Sequence, residues 1–218
     1  MRLFAAVRPP ADVVDHLTAA LGAVGLDPWL AGTAGPVRWT APQGWHLTVA
    51  FYGEVPDALL SELDGGLSRL ATELDPFTLR LRGAGAFSRR TLWIGASGAL
   101  DQMARLTTAA VALGEEVTGH GDGRERSRPH LTVARVVGPR RPSPARTRPA
   151  GRRPPQDDPL APIVRALAVY EGSTWPVTEV LLIESRPGAG PGGGPLYRDR
   201  GAYRFAPADR GTLPDGRP

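Results

Sequence analysis

With 218 residues, 41% of them hydrophobic, the chain is long enough to form one medium domain or two small lobes around a buried core. It has no Cys, which removes disulfides, thiolate nucleophiles and Cys-based metal sites, and all 26 of its Lys+Arg residues are Arg, which removes Schiff bases, a Lys-bearing phosphate loop and a nucleotidyl-lysine intermediate. The net charge of +4 favours an anionic partner such as a nucleotide or RNA, although 27 Gly, 23 Pro and Arg in place of Lys also read as a GC-rich coding bias.

No stretch is apolar for the roughly 18 residues a membrane helix needs, and Pro9 and Pro10 break the amino terminus too early for a signal peptide. A soluble cytoplasmic protein is expected. Arg2 to Val7 reads as a buried strand, and Pro9 and Pro10 start a helix whose Val13, Val14, Leu17 and Leu21 keep helical spacing to about Val24. Gly25 to Pro36 is a loop, and Val37 to Trp39 a short strand leading to the turn Pro42-Gln43-Gly44. Trp45 to Phe51 is a strand closed by Gly53. Asp57 to Leu74 is a helix with Leu59, Leu60, Leu63, Leu67 and Leu70 on one face, weakened by Gly65 and Gly66. Phe77 to Arg82 alternates strictly, so Arg80 and Arg82 lie opposite Leu79 and Leu81. Ser88 to Arg90 turns the chain, Thr91 to Gly95 returns, and Leu100 to Val117 is a helix.

After a polar loop from Gly119 to Ser127 comes a second strand, Pro129 to Arg135. Residues 138 to 159 are Pro and Arg rich without hydrophobic period and are expected to be a disordered or extended insertion. A short helix from Leu160 to Val169 precedes a strand from Pro176 to Ser185, and Leu196 to Phe205 contains a last strand. Residues 1 to 205 thus form one domain of two lobes, and 206 to 218 a disordered tail. The glycines from Gly188 to Pro195 make a hairpin loop rather than a phosphate loop, since neither a Lys nor a helix pattern follows.

One pentapeptide occurs twice: His46-Leu47-Thr48-Val49-Ala50 and His130-Leu131-Thr132-Val133-Ala134. On a strand, side chains alternate between faces, so Leu47, Val49 and Phe51 are expected in the core and His46 with Thr48 on the opposite face, and likewise His130 with Thr132 opposite Leu131 and Val133. His16-Leu17-Thr18 repeats the triplet on a helix, where residues two apart do not share a face, so His16 is expected on the surface. His120, between two glycines, reads as a loop tip.

Two imidazoles facing one cleft can act as acid and base on opposite sides of a phosphodiester, and each neighbouring Thr can donate to a non-bridging oxygen. A purely structural role for each His competes with this, and the matched copies argue against it. A metal site lacks ligands, because no further His-x-His or His-Glu-x-x-His spacing exists. A serine hydrolase would need a Gly-x-Ser-x-Gly elbow, which is absent. A non-catalytic RNA-binding module with an Arg-rich surface is the alternative from another class.

At these residues the chain resembles the 2H phosphoesterase superfamily, and within it the RNA 2′,3′-cyclic phosphodiesterases, also called the 2′-5′ RNA ligase family. Met1 to Val7, Phe51-Tyr52-Gly53-Glu54 and Val177 to Ser185 followed by Tyr197 are further points of likeness. The resemblance implies an α+β fold of two pseudo-symmetric lobes, mostly antiparallel sheet with flanking helices, whose cleft holds the two His-x-Thr strands. It implies hydrolysis of an RNA terminal 2′,3′-cyclic phosphate to a 2′-phosphomonoester without metal or other cofactor, or a related reaction on another cyclic or 2′-5′-linked nucleotide, including ligation as its reverse. His46 would be the proton donor, His130 the proton acceptor, and Thr48 and Thr132 the phosphate clamps. Arg135 fits the residue the family has after its second motif and is expected to contact phosphate or organise the strand. Five residues beyond His130, it would face away on an ideal strand, and a structural ion pair is its plainer role. Ser127 stands where the family commonly has an aromatic. A monomer acting on RNA or a nucleotide is expected.

Overall fold

The run Leu3-Phe4-Ala5-Ala6-Val7 has no polar residue to face water, and it forms a strand buried on both sides (β1, Arg2–Val7). Leu3, Ala5 and Val7 join the main core beneath the helices, whereas Phe4 and Ala6 join a second cluster with Leu181 and Ile183. The computed structural model describes residues 1–24, 37–123, 128–136, 158–190 and 193–206. The expected insertion and tail therefore lie almost wholly outside the described residues, as do the loop before Val37 and Ser127.

After β1 come α1 (Ala11–Ala23), β2 (Val37–Trp39), a 3-10 turn at Pro42–Gly44 and β3 (Leu47–Glu54). A second 3-10 turn, Asp57–Leu59, opens α2 (Leu60–Thr72), and β4 (Phe77–Phe87) and β5 (Thr91–Gly98) make a long hairpin. The chain continues through α3 (Leu100–Thr118), β6 (His130–Val136), α4 (Ala161–Ala166), β7 (Glu171–Val177), β8 (Glu179–Arg186) and β9 (Leu196–Arg204).

All pairings are antiparallel, in the order β7-β4-β5-β6-β3-β1-β8-β9, with β2 added to β6. The two strands that carry the repeated pentapeptide are the middle of this order. They pair with each other through one couple, Leu47 with Leu131, the same position of the two copies. Each side of that seam is a four-stranded lobe, β7-β4-β5-β6 and β3-β1-β8-β9. The helices cross over: α1 packs on β7 and α4 on β4, whereas α3 packs on β3 beside α2, which covers β8 and β9. The sheet curls far enough for Phe77 at the start of β4 to stack on Phe205 after β9, ring centroids 6.0 Å apart.

Three expectations need correction. The single strand expected from Pro176 to Ser185 is two, β7 and β8, which break at Thr178 and belong to different lobes. Pro176 is tolerated because β7 is an edge strand. β4 does not stop at Arg82 but bends there, because Gly83, at φ +64, is the extra residue opposite β5 and the strand resumes at Ala84. Phe51 faces the second cluster with Phe4, not the main core with Leu47 and Val49. His16, exposed as expected, is also tied across the fold by a 3.2 Å hydrogen bond between its Nδ1 and the Tyr170 hydroxyl.

Candidate active site

The change of face at Phe51 has a register cause. Ala5 pairs with Ala50 and Ala6 with Thr48, so Val49 is an extra residue in β3. In the second copy Leu92 pairs with Ala134 and Trp93 with Thr132, so Val133 is the extra residue in β6. The same valine of the same pentapeptide forms a β-bulge twice. In each copy Val and Ala both go into the main core, and alternation restarts one residue late.

This overturns the expected orientation of Arg135. With the bulge at Val133, His130, Thr132 and Arg135 share the face of the sheet turned away from the helices. Arg135 donates from Nη1 to Thr91 Oγ1 at 3.2 Å, and its charge acts on both His46 and Tyr197. It pairs directly with Arg38 of β2. Like charges opposite one another in a ladder are unfavourable, so this couple suits an anion laid across it.

The two histidines are held in the same way. His46 Nδ1 donates to the carbonyl of Gly44 at 2.7 Å, and His130 Nδ1 donates to the carbonyl of Arg128 at 3.0 Å. A carbonyl only accepts, so Nδ1 carries the proton in both, and Nε2 is the accepting nitrogen of the neutral ring. His120 makes a like bond to Thr118 in an exposed turn, so the bond alone does not distinguish a working histidine. The difference lies in the flanking rings. His46 lies 4.8 Å from Phe4 and 5.1 Å from Tyr197, and His130 lies 4.8 Å from Phe87 and 6.3 Å from Trp93. Thr48 and Thr132 are half-buried beside them, while Leu47, Leu131 and Val133 are fully buried beneath.

Burial pushes the His46 imidazolium down to about pKa 4; the Gly44 carbonyl opposes this, and the charges of Arg8, His130 and Arg135 add to it. His46 and His130 are thus within electrostatic reach of one another. Arg8 follows β1 on the cleft side and is gripped by Asp199 of β9 through two 2.7 Å hydrogen bonds. Among the described residues no three His, Asp or Glu side chains gather as a metal ion would require.

The structure brings His46, His130, Thr48, Thr132 and Arg135 to one face, as required of a single site. Arg8, Phe87 and Trp93 carry no local pattern that marks them in the sequence, because their neighbours lie far along the chain, and Phe4 falls in the Met1 to Val7 stretch of likeness without a role of its own. Tyr197 was noted only as a point of likeness, and it proves to pack edge-on against His46.

Residues 26–93, which include the first His-x-Thr copy, match a family model described as LigT like phosphoesterase. An RNA 2′,3′-cyclic phosphodiesterase of Methanothermobacter thermautotrophicus is 27% identical over 210 residues, covering 94% of this chain and 99% of the relative. Another, of Archaeoglobus fulgidus, is 33% identical over 141 residues, covering 62% of this chain and 73% of the relative. The crystal structure of the Thermus thermophilus protein TT0787 aligns with a TM-score of 0.67 at 27% identity, over 95% of this chain and all of that one. The apo structure of E. coli LigT aligns at 0.60 and 24% identity, over 94% of this chain and 96% of that one, a likeness of fold.

Proposed function

This chain belongs to the LigT-like phosphoesterases, and from that premise we propose that it hydrolyses the terminal 2′,3′-cyclic phosphate of RNA to a 2′-phosphomonoester with two histidines and no metal. The observation that carries the reading is the seam itself: two identical His-x-Thr strands, joined at Leu47 and Leu131, with both histidines tied by Nδ1 so that Nε2 is the nitrogen that can take up a proton.

His130 accepts a proton at Nε2 from a water whose oxygen attacks phosphorus. The bond from phosphorus to O3′ breaks, and His46 gives O3′ the proton that makes it a hydroxyl. The hydroxyls of Thr48 and Thr132 donate to the non-bridging oxygens, whose charge grows in the transition state, and Arg135 balances that charge. Burial sets a condition on His46. It is neutral in the free protein at pH 7, so it becomes a donor only when the bound phosphate anion offsets its desolvation and the repulsion from Arg8 and Arg135.

The test is turnover of a 2′,3′-cyclic mononucleotide with chelator present. Wild-type protein is expected to retain full activity in chelator, and His46→Ala and His130→Ala are each expected to lower kcat by about 10²- to 10⁴-fold. Loss of activity in chelator, with recovery on adding a divalent cation, would overturn the metal-free step.

A further inference from the structure

We propose that Arg8 binds the phosphate that links the terminal nucleotide to the rest of the RNA, so that the cleft prefers a chain end to a mononucleotide. The inference rests on reading the cleft as a cyclic-phosphate site with the leaving O3′ at His46. From O3′ the ribose continues through C3′, C4′ and C5′ to O5′ and the linking phosphate, whereas the base hangs from C1′ on the O2′ side. The strand therefore leaves the site on the side of His46.

Arg8 is the cation that stands there. The ladder between β1 and β3 ends at Val7 with Leu47, so Arg8 and His46 are the next residues on the two facing chains. Asp199 and Tyr197 are two apart on β9 and share a face, and Tyr197 packs on His46 with ring centroids 5.1 Å apart, which brings Asp199 to the same end of the cleft. Arg2, the other basic residue of this segment, lies over the Phe51 ring at 4.9 Å, at the far end of β1. Arg135 bonds to Thr91 in the lobe that carries His130, the side of the attacking water.

The Arg8 side chain is aimed rather than loose. Its Nη1 and Nη2 each donate to one oxygen of Asp199 at 2.7 Å, a fork that fixes the plane of the guanidinium and leaves Nε–H and the second N–H of each Nη for another anion. Both side chains stay open, Arg8 at 35% and Asp199 at 49%, and a pair so exposed adds little to stability. Its position also burdens a histidine that must act as an acid, because the Arg8 charge adds to burial in opposing protonation of His46. A linking phosphate held by Arg8 removes that conflict. Beside Arg8 a hollow of about 320 Å³ opens between the Pro42–Gly44 turn and the first turns of α1, walled by Pro9, Val14, Asp15, Pro42 and Gln43, and it gives the preceding nucleotide a place to lie.

The experiment measures dissociation constants for adenosine 2′-monophosphate and for the same nucleotide bearing a methyl phosphodiester on O5′, which stands for the linking phosphate. Wild-type protein is expected to bind the diester about ten-fold tighter. The ratio of the two constants is the readout, since a change at His46 or in the contacts to the 2′-phosphate moves both alike. Arg8→Gln should bring the ratio close to unity, whereas Arg135→Gln should weaken both ligands and keep the ratio. A ratio close to unity in wild type, or the wild-type ratio in Arg8→Gln, overturns the proposal. So does a ratio that Arg135→Gln lowers as much as Arg8→Gln, which would mark a general attraction of the cleft for a second charge. The expected ratios without turnover of a cyclic phosphate would sink the catalytic reading and leave the Arg8 contact standing.

Discussion

A carbonyl two residues back decides which nitrogen each histidine offers. Gly44 and Arg128 hold the Nδ1 protons of His46 and His130, and Nε2 is then the nitrogen that can exchange a proton with a substrate. Their surroundings then set them apart. His46, closed in by Phe4 and Tyr197, sheds its proton near pH 4, below the ordinary range for an imidazole. In the free protein it should titrate at that acidic value by NMR, and saturating 2′-mononucleotide should raise it by a unit or more. If the nucleotide leaves it unchanged, the donor and acceptor assignments exchange. Arg8→Gln should move the same titration upward, because a repelling cation beside the ring is lost. The shift also bears on stability. With its folded value depressed, His46 binds fewer protons folded than unfolded, so its contribution is intact above about pH 6.5 and is lost as the pH falls towards 4.

At the level of elements, the repeated pentapeptide is a structural device before it is a chemical one. Its Val-Ala pair makes a bulge in each copy, sends two successive residues into the core, and brings the fifth residue after each histidine back to the cleft face: Phe51 in β3 and Arg135 in β6. Alternation of apolar residues made both strands, both His-Thr pairs and the hairpin around Ser88 legible in the sequence. The bulge was not legible, since Val followed by Ala on a strand is compatible with regular pleating, and so the faces of Phe51 and Arg135 could not be read. β7 was hidden for a related reason: Gly172 and Pro176 are breakers in isolation and acceptable at a sheet edge.

The two glycines of α2 show how packing overrides propensity. Gly66 is buried and its missing Cβ is filled by Leu113 of α3, whereas the nearest neighbour to a Cβ on Gly65 is an Arg69 guanidinium nitrogen 3.6 Å away. Gly65→Ala should therefore stabilise the protein by about 0.5–1 kcal/mol in urea unfolding. Gly66→Ala should destabilise it by roughly 1–3 kcal/mol, because Leu113 has to move. Equal effects at the two positions would contradict the packing of α2 on α3.

Across the whole molecule, two lobes meet at a seam one residue pair wide, and helices from each half of the sequence cover strands of both. That interlacing, set by contacts far apart in sequence, is why Arg8, just after β1, and Asp199 of β9 could not be connected to the site from the sequence alone. The cleft that results is lined with Arg: Arg8 and Arg135 act on His46, and Arg38 stands against Arg135. RNA oligonucleotides should accordingly bind with an affinity that falls linearly on a log–log plot against salt, with a slope of about −0.7 for each phosphate neutralised on a single strand. Arg38→Gln should make that slope shallower by a little under one such step. A slope near zero would contradict an electrostatic hold on the strand.

The central claim is that the paired His-x-Thr strands direct a water onto a 2′,3′-cyclic phosphate and release O3′. It is tested most directly by incubating the protein with an oligonucleotide ending in a 2′,3′-cyclic phosphate, in chelator, and identifying the product. A 2′-phosphomonoester, absent with His46→Ala and with His130→Ala, is the expected result. A 3′-phosphomonoester, or full activity in either variant, would contradict it.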